Sequence, residues 1–261
     1  MKYEEKYIVS SHDVDVNNNI KPSLLIRYMQ ETANNQMRDR KPSYYDMFFA
    51  GQSFILTKMN VEIYQQIHQY EHIVAKTWRC PSKAATFVRG YSIERDGELM
   101  ALSYSEWAVA DIETGRLYRT NEIDISNYET DEIPELKLPK RFRFPKDADF
   151  REVGTHHVFY SEVDMNRHMN NTNYSDMLWN YIPGVTEKEV TTISLRFMKE
   201  APLDADLRIE MAKLPEPDPS DSKAEETYMF KSLVPGGTNV EAMFGMRKTK
   251  VLIFGQELQD K

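Results

Sequence analysis

The order of apolar and polar residues predicts a strand, a helix and several antiparallel strands in the N-terminal half. Residues 2–10 alternate weakly and end in a predicted strand, and apolar side chains then recur at helical spacing after Pro22, which suits the first turn of a helix. Further strands are predicted over residues 54–63, 72–79, 85–94 and 99–110. The Asp96-Gly97 pair between the last two is typical of a hairpin turn.

The same run of elements is predicted again in the C-terminal half, after a proline-containing stretch over residues 121–152. We interpret that stretch as a linker between two units, residues 1–120 and 153–261. A strand is predicted over 157–162, and strands follow over 190–198, 207–211, 227–234 and 240–246. The helix between them is marked by apolar residues at i, i+3, i+4, i+7 and i+8, namely Tyr174, Met177, Leu178, Tyr181 and Ile182. A helix laid across a long antiparallel sheet is the hotdog arrangement, so the pattern predicts an α+β double hotdog.

Candidate chemistry lies just before the second predicted helix, at Asp164, Asn166 and His168. Alternate residues of an extended segment point to one side, so a carboxylate, an amide and an imidazole would share one cavity. The start of the helix, with Asn171 or Thr172 as its cap, would favour negative charge that develops there. Asp and Asn before a helix are also common caps and turn formers, and the triplet alone does not separate the two readings.

Composition and charge narrow the class of protein. With 41% hydrophobic and 28% charged residues the chain suits a soluble domain with a core, and the net charge of −8 argues against general nucleic-acid binding. Cys80 is the single cysteine, so no intramolecular disulfide forms and a reducing compartment fits. We find no apolar run suited to a signal peptide or a membrane span, and we expect a cytoplasmic protein.

Several motifs together carry a resemblance to a known family. They are residues 164–171 with Tyr174, the run Leu195-Arg196-Phe197-Met198-Lys199-Glu200, and Ser105-Glu106-Trp107 with Thr114-Gly115-Arg116. The chain resembles, over nearly its whole length, the acyl-acyl-carrier-protein thioesterases of plant plastids and bacteria. The resemblance implies two hotdog units and, in fatty acid biosynthesis, hydrolysis of the thioester between a fatty acyl chain and the phosphopantetheine arm of acyl carrier protein. It implies no cofactor and no metal.

The resemblance also implies which residues are catalytic: Asp164, Asn166, His168 and Glu200. The plant pattern has a cysteine directly after that glutamate, where this chain has Ala201, and Cys80 lies in the other half without a matching context. A cysteine nucleophile is therefore not expected. The chain shows no plastid transit segment, which predicts a bacterial-type member.

An internal duplication supports a division of roles between the two units. Asp15, Asn17 and Asn19 repeat the triplet 149 residues earlier, and Gln66 precedes Glu200 by 134 residues. Asn19 therefore corresponds to His168 and Gln66 to Glu200, and an amide cannot accept a proton as a general base. We predict that the C-terminal unit is catalytic and that the N-terminal unit is a degenerate copy, to which the resemblance assigns the acyl chain. The predicted substrate-binding residues are Tyr28, Met29, Phe54, Trp107, Asn171 and Tyr174.

The roles within the site stay open at this point. Glu200 or Asp164 would activate water as a base, or Asp164 would attack the thioester directly through an anhydride. His168 would orient water or protonate the leaving thiolate. Asn166 would position the carbonyl group or help to bind the oxyanion.

The expected partner is acyl carrier protein, which is acidic, as is this chain. Docking therefore requires a local basic patch, which we predict in the linker at Lys140, Arg141, Arg143 and Lys146. Arg38, Arg40 and Lys41 after the first helix are the alternative patch. The alternatives are an acyl-CoA thioesterase and a non-catalytic hotdog protein that only binds an acyl ligand; a hotdog dehydratase fits less well. The sequence does not determine the acyl chain length or whether a homodimer forms.

Overall fold

The structure is a computed structural model that describes residues 2–140 and 142–249. The N-terminal half contains β1 (Tyr3–Ile8), α1 (Pro22–Asp39), α2 (Tyr44–Phe49), β2 (Gln52–Ile63), β3 (His72–Lys83), β4 (Thr86–Arg95) and β5 (Glu98–Asp111). The C-terminal half contains β6 (Arg151–His157), α3 (Asn173–Trp179), β7 (Lys188–Phe197), β8 (Asp206–Lys213), β9 (Glu226–Val234) and β10 (Gly237–Lys248). Short 3-10 turns lie at Tyr160–Glu162 and Val185–Glu187.

All ten strands form one sheet, in the order β1-β3-β4-β5-β2-β7-β10-β9-β8-β6. Each half contributes five strands in mirrored order, and β2 and β7 pair antiparallel at the centre, with Met59 opposite Leu195. The helices α1 and α3 contact each other, and α1 also contacts β3. This arrangement confirms the double hotdog that the sequence predicts.

The core lies on the inner face of the sheet, under the helices. Alternate residues of a strand point to opposite faces, and the inward positions of β7 and β9, such as Leu195 and Phe230, pack in one cluster with Leu25 of α1 and Leu178 of α3. The outward neighbour Met229 packs instead with a separate cluster around Phe142. The segment after residue 141 therefore crosses the outer face of the sheet.

Two elements differ from the prediction. The strand predicted over residues 157–162 is wrong, because β6 begins at Arg151, inside the predicted linker, and the chain then turns at Tyr160–Glu162. The Glu162 carboxylate stabilises that turn by accepting the Phe159 N–H at 3.0 Å. The helix α3 ends at Trp179, earlier than the helical spacing of apolar residues suggests, because Pro183 follows closely and disfavours continued helix.

A carboxylate on α3 links the two halves. Asp176 on α3 accepts hydrogen bonds from the backbone N–H of Ser23 at 2.9 Å and from its hydroxyl at 2.5 Å, at the start of α1. Burial raises the pKa of Asp176, and the hydrogen bonds from Ser23 oppose that rise. Among the described residues, no helix combines the length and apolar composition needed to cross a membrane.

Candidate active site

The residues before α3 fold into a tight turn whose two ends pair with each other. Val163 and Met169 form an antiparallel bridge, and the Asp164 N–H donates to the His168 carbonyl at 3.1 Å. The Asp164 carboxylate accepts the backbone N–H of Asn166 at 2.8 Å, and Arg167 adopts a left-handed conformation with φ of 66°. The extended segment expected from the sequence is therefore wrong at this point, because the aspartate side chain bonds to the backbone two residues on and closes the chain into a turn.

The first half contains the same turn. The Asp15 N–H donates to the Asn19 carbonyl at 2.8 Å, the Asp15 carboxylate accepts the Asn17 N–H at 2.8 Å, and Asn18 has a φ of 63°. The internal duplication therefore extends to the backbone conformation of the turn. The surroundings differ, because Asn17 and Asn19 are only 3% and 5% exposed, whereas Asn166 is exposed and His168 half-buried.

The amides of the first half bind the second half. The Asn17 side chain donates to the Thr186 carbonyl at 2.7 Å, and the Gln66 side chain donates to the Val190 carbonyl at 3.0 Å. The Asn19 amide donates to the Thr249 hydroxyl at 3.3 Å. At the positions where the second half has titratable or exposed groups, the first half thus has amides, buried at Asn17 and Asn19 and half-buried at Gln66, that hydrogen-bond to the second half.

His168 and Glu200 are in contact, with 3.1 Å between Nε2 and the nearer carboxylate oxygen, and form an ion pair when the imidazole is protonated. The backbone holds the two segments side by side, because the Met169 N–H donates to the Ala201 carbonyl at 2.8 Å and His168 bridges to Pro202. The His168 and Glu200 side chains are 32% and 62% exposed, so water reaches the pair. The structure therefore brings Glu200 to the turn through His168.

A cavity of about 290 Å³ lies between α1 and the strands of the N-terminal half, and the turn forms part of its wall. Asp164 and Asn166 line the cavity, whereas His168 and Glu200 do not. The other lining residues are Gln30, Ala33, Asn34, Met37, Tyr44, Phe54, Arg79, Phe87, Val88, Arg89, Tyr91, Trp107, Ile125, Tyr128, Met165, Asn170 and Asn171. The C-terminal half thus closes a cavity that belongs mainly to the N-terminal half.

The predicted substrate-binding residues divide into two groups. Phe54, Trp107 and Asn171 line the cavity, and Phe54 contacts Trp107 edge to face.

Tyr28, Met29 and Tyr174 do not line the cavity, and their assignment needs correction. Tyr28 donates its hydroxyl to Asp13 at 2.6 Å, Met29 is fully buried in the core, and Tyr174 packs edge to face on Phe197. Helical periodicity predicted that these residues face inward, but at these positions the inward-facing side chains contact other residues and do not reach the cavity. Burial raises the pKa of Tyr174 to about 12, so its hydroxyl stays protonated near neutral pH.

The charge of Asp164 acts on a cavity residue from the other half. Tyr44, at the start of α2, lines the cavity, and burial followed by the negative charge of Asp164 raises its pKa. This shift shows electrostatic contact between the turn and the cavity wall.

The predicted basic patch lies on the outer face of the sheet. Lys140, Arg143 and Lys146 are exposed and form no ion pair among the described residues, whereas Arg141 lies outside them. Arg143 lines a groove of about 530 Å³ that extends to Met198, two residues before Glu200. Lys58 and Arg196 add positive charge to the groove but pair with Glu106 and Glu241.

Sequence reasoning missed several polar side chains in the cavity wall, among them Gln30, Tyr44, Arg79 and Arg89. A signal was present for Arg89, because it occupies the inward position of β4 between Phe87 and Tyr91. An arginine at an inward position of an apolar strand indicates either a buried ion pair or a polar cavity.

Comparison with known proteins is consistent with these features. The family sequence model described as Acyl-ACP thioesterase N-terminal domain matches residues 1–128, and the one described as Acyl-ACP thioesterase C-terminal domain matches residues 146–244. Oleoyl-acyl carrier protein thioesterase 2 of Arabidopsis thaliana, a chloroplastic protein, is 24% identical over 235 residues. That match covers 77% of this chain and 60% of the plant protein, so the chain spans less than two thirds of that relative.

Solved structures show the same fold at low sequence identity. The crystal structure of an acyl-ACP thioesterase from Bacteroides thetaiotaomicron superimposes with a TM-score of 0.81 at 17% identity, covering 94% of this chain and 97% of the other. The 12:0-ACP thioesterase from Umbellularia californica superimposes with a TM-score of 0.80 at 16% identity, covering 95% and 94%. With both family domains matched in order along its length, the chain belongs to the acyl-ACP thioesterase family.

Proposed function

We propose that this protein hydrolyses the thioester of a fatty acyl chain on acyl carrier protein and releases a free fatty acid and the carrier thiol, as a step of fatty acid biosynthesis. The observation that carries the proposal is the position of Asp164, which sits in the wall of a cavity suited to an acyl chain. Its neighbour in the same turn, His168, pairs with Glu200 at 3.1 Å. One carboxylate therefore lines the cavity, and an imidazole paired with a second carboxylate lies in the adjoining part of the same turn.

The geometry favours different roles for the two carboxylates. Asp164 lines the cavity and Glu200 does not, so Asp164 is the carboxylate that meets the thioester. One oxygen of Asp164 accepts the Asn166 N–H, which fixes the carboxylate and leaves the other oxygen for the reaction. Glu200 acts through His168, whose Nε2 it binds, and is a positioning residue.

Two balanced routes follow from these roles. In the first, Asp164 takes a proton from water as the water oxygen attacks the thioester carbonyl, and the thiolate leaves with a proton from His168. In the second, an Asp164 oxygen attacks the carbonyl carbon, the thiolate leaves, and water then hydrolyses the anhydride. Label found in Asp164 after a single turnover in heavy-oxygen water identifies the anhydride route, because only attack of water on the aspartyl carbonyl of the anhydride places it there.

The single cysteine does not supply a nucleophile. Cys80 is 3% exposed, and burial raises the pKa of its thiol to about 12, which keeps the thiol protonated and unreactive near neutral pH. A buried single cysteine also fits our placement of the protein in the cytoplasm. A homodimer stays an untested prediction.

The carrier is proposed to dock at the basic residues Lys140, Arg143 and Lys146, of which Arg143 lines the groove that extends to Met198. These three side chains have no carboxylate partner among residues 2–140 and 142–249. By contrast, Arg38, Arg40 and Lys41 after α1 are already paired with Asp39, Glu129 and Asp46. An acidic carrier would therefore find its free positive charge in the linker.

The test is thiol release from acyl thioesters of acyl carrier protein and of coenzyme A, measured for the wild type, His168→Ala and Asn19→Ala. We expect His168→Ala to abolish turnover and Asn19→Ala, which changes a buried amide, to keep it in the folded fraction. A preference for the coenzyme A thioesters would mean that the substrate is acyl-coenzyme A and not acyl carrier protein. Absence of thiol release from every thioester would leave a protein that only binds acyl ligands.

A further inference from the structure

Two arginines face each other across neighbouring strands in the wall of the cavity. Arg79 on β3 and Arg89 on β4 are direct cross-strand partners, and both line the cavity. Among residues 2–140 and 142–249 neither guanidinium forms a salt bridge, and Arg89 donates only to the neutral oxygens of Gln36 and Thr77. Like charges directly opposite each other on a sheet are destabilising. An anion or another hydrogen-bond acceptor bound between the two guanidinium groups would offset that repulsion.

Two buried donors in the same cavity wall also lack an acceptor. The Nε atom of Arg79 and the amide nitrogen of Gln30 are shielded from solvent and have no hydrogen-bond partner. A buried donor without a partner is costly, and native proteins usually satisfy such groups with a ligand, a water molecule or another side chain. An acyl cavity for a plain hydrocarbon chain would not need these donors.

Arg79 lies where the cavity borders a second groove, and its cross-strand partner Arg89 lies beside it. Arg79, Phe87 and Ile125 line both the cavity and a surface groove of about 610 Å³, and no residue of the turn borders that groove. A volume of about 290 Å³ accommodates roughly ten groups the size of a water molecule. A medium-length chain with its thioester at Asp164 therefore places its far end beside the arginines.

We propose that the far end of the cavity binds an acceptor oxygen on the acyl chain, and in the first place a terminal carboxylate. The planar donors of a guanidinium match the two oxygens of a carboxylate, which would neutralise the opposed charges of Arg79 and Arg89. This inference rests on the proposed function and narrows it, from fatty acyl thioesters in general to thioesters of chains that end in a polar, oxygen-bearing group.

The experiment compares decanoyl, ω-hydroxydecanoyl and ω-carboxynonanoyl thioesters of the same carrier with the wild type, Arg79→Met, Arg79→Lys and Arg208→Met. Arg79 is the variant of choice because its Nε atom has no hydrogen-bond partner among the described residues. We expect the carboxylated thioester to have the highest kcat/KM. Arg79→Met should lower the ratio of kcat/KM for the carboxylated thioester to kcat/KM for the decanoyl thioester by about tenfold or more, which is the scale of a lost charge-assisted hydrogen bond. Arg79→Lys should retain part of the preference, and the exposed Arg208→Met should leave it unchanged.

Equal kcat/KM for the three wild-type substrates, or an Arg79→Met ratio equal to the wild-type ratio, would overturn the inference. A preference for the hydroxyl substrate alone would overturn the assignment of a carboxylate. Calorimetry of the binding of free sebacic acid and decanoic acid tests this inference without any hydrolysis, and so independently of the proposed function. Tighter binding of sebacic acid that Arg79→Met removes would support the polar pocket even if no thioester were hydrolysed.

Discussion

Replacing Glu200 with glutamine should separate catalysis from stability. The ion pair of Glu200 with His168 has side chains that are 62% and 32% exposed, and pairs this open to water contribute about 0.2–1 kcal/mol. The melting temperature should therefore fall by no more than about 4 °C, at about 2–4 °C per kcal/mol for a domain of this size class.

The effect on the rate should be larger. In the proposed mechanism Glu200 positions His168, which protonates the leaving thiolate, and general acid catalysis contributes about 10²–10⁴ in rate. We expect kcat to fall about a hundredfold, or about 2.7 kcal/mol in activation free energy, with KM little changed because Glu200 lies outside the cavity wall.

The assay is initial-rate thiol release together with thermal unfolding, and Glu152→Gln is the matched control. Glu152 is 56% exposed and faces Arg208 at 3.9 Å, so it tests the loss of a similar surface pair away from the site. The variant combining His168→Ala with Glu200→Gln should be no slower than His168→Ala alone, since Glu200 acts through His168. A Glu200→Gln enzyme within about twofold of the wild-type kcat, or a further loss in the double variant, would refute this role.

Three further predictions concern stability, pH and docking. Asn17→Ala leaves the Thr186 carbonyl without its donor, so the free energy of unfolding in urea should fall by about 1–3 kcal/mol, and an unchanged value would contradict the role of the amide in joining the halves. Burial raises the folded-state pKa of Asp176 above its ordinary value of 3.8, so the folded state binds more protons than the unfolded state. The stability of the wild type relative to Asp176→Asn should therefore decline as the pH rises from below 3.8 through the raised pKa. The same pH dependence of stability in both proteins would show that burial does not act on this group. Arg143→Glu should lower kcat/KM for carrier-bound substrate but not for a pantetheine thioester, with Arg208→Glu as control, and equal effects on both substrates would argue against docking at the linker.

The elements that follow a regular period were predictable from the sequence. Both halves alternate clearly enough to reveal their central strands, and the repeated Asp-x-Asn pattern revealed that the turns are related. β6 was missed because Arg151–His157 carries few apolar residues at the edge of the sheet, with only half-buried or exposed positions. No period in the sequence distinguishes such a strand from a linker.

The cavity wall was only partly predictable, because it depends on how two halves meet. Periodicity shows that Met29 faces inward, but whether the inward side meets core or empty space depends on residues distant in the chain. The position of Asp164 and Asn166 in a cavity formed mainly by the other half could not be inferred from either half alone. Arg89 could have been noticed as a charge at an inward position of β4.

The pairing of β2 with β7 has a consequence for how such a protein can change. In a symmetric dimer of identical hotdog subunits, every substitution appears in both sites, so a gain in one is always accompanied by the same alteration in the other. With both units in one chain, each turn can vary independently. The buried amides Asn17 and Asn19 and the water-accessible His168 are the present outcome of that independence, and substrate selectivity can be altered in the first half without duplicating the change beside the reacting groups.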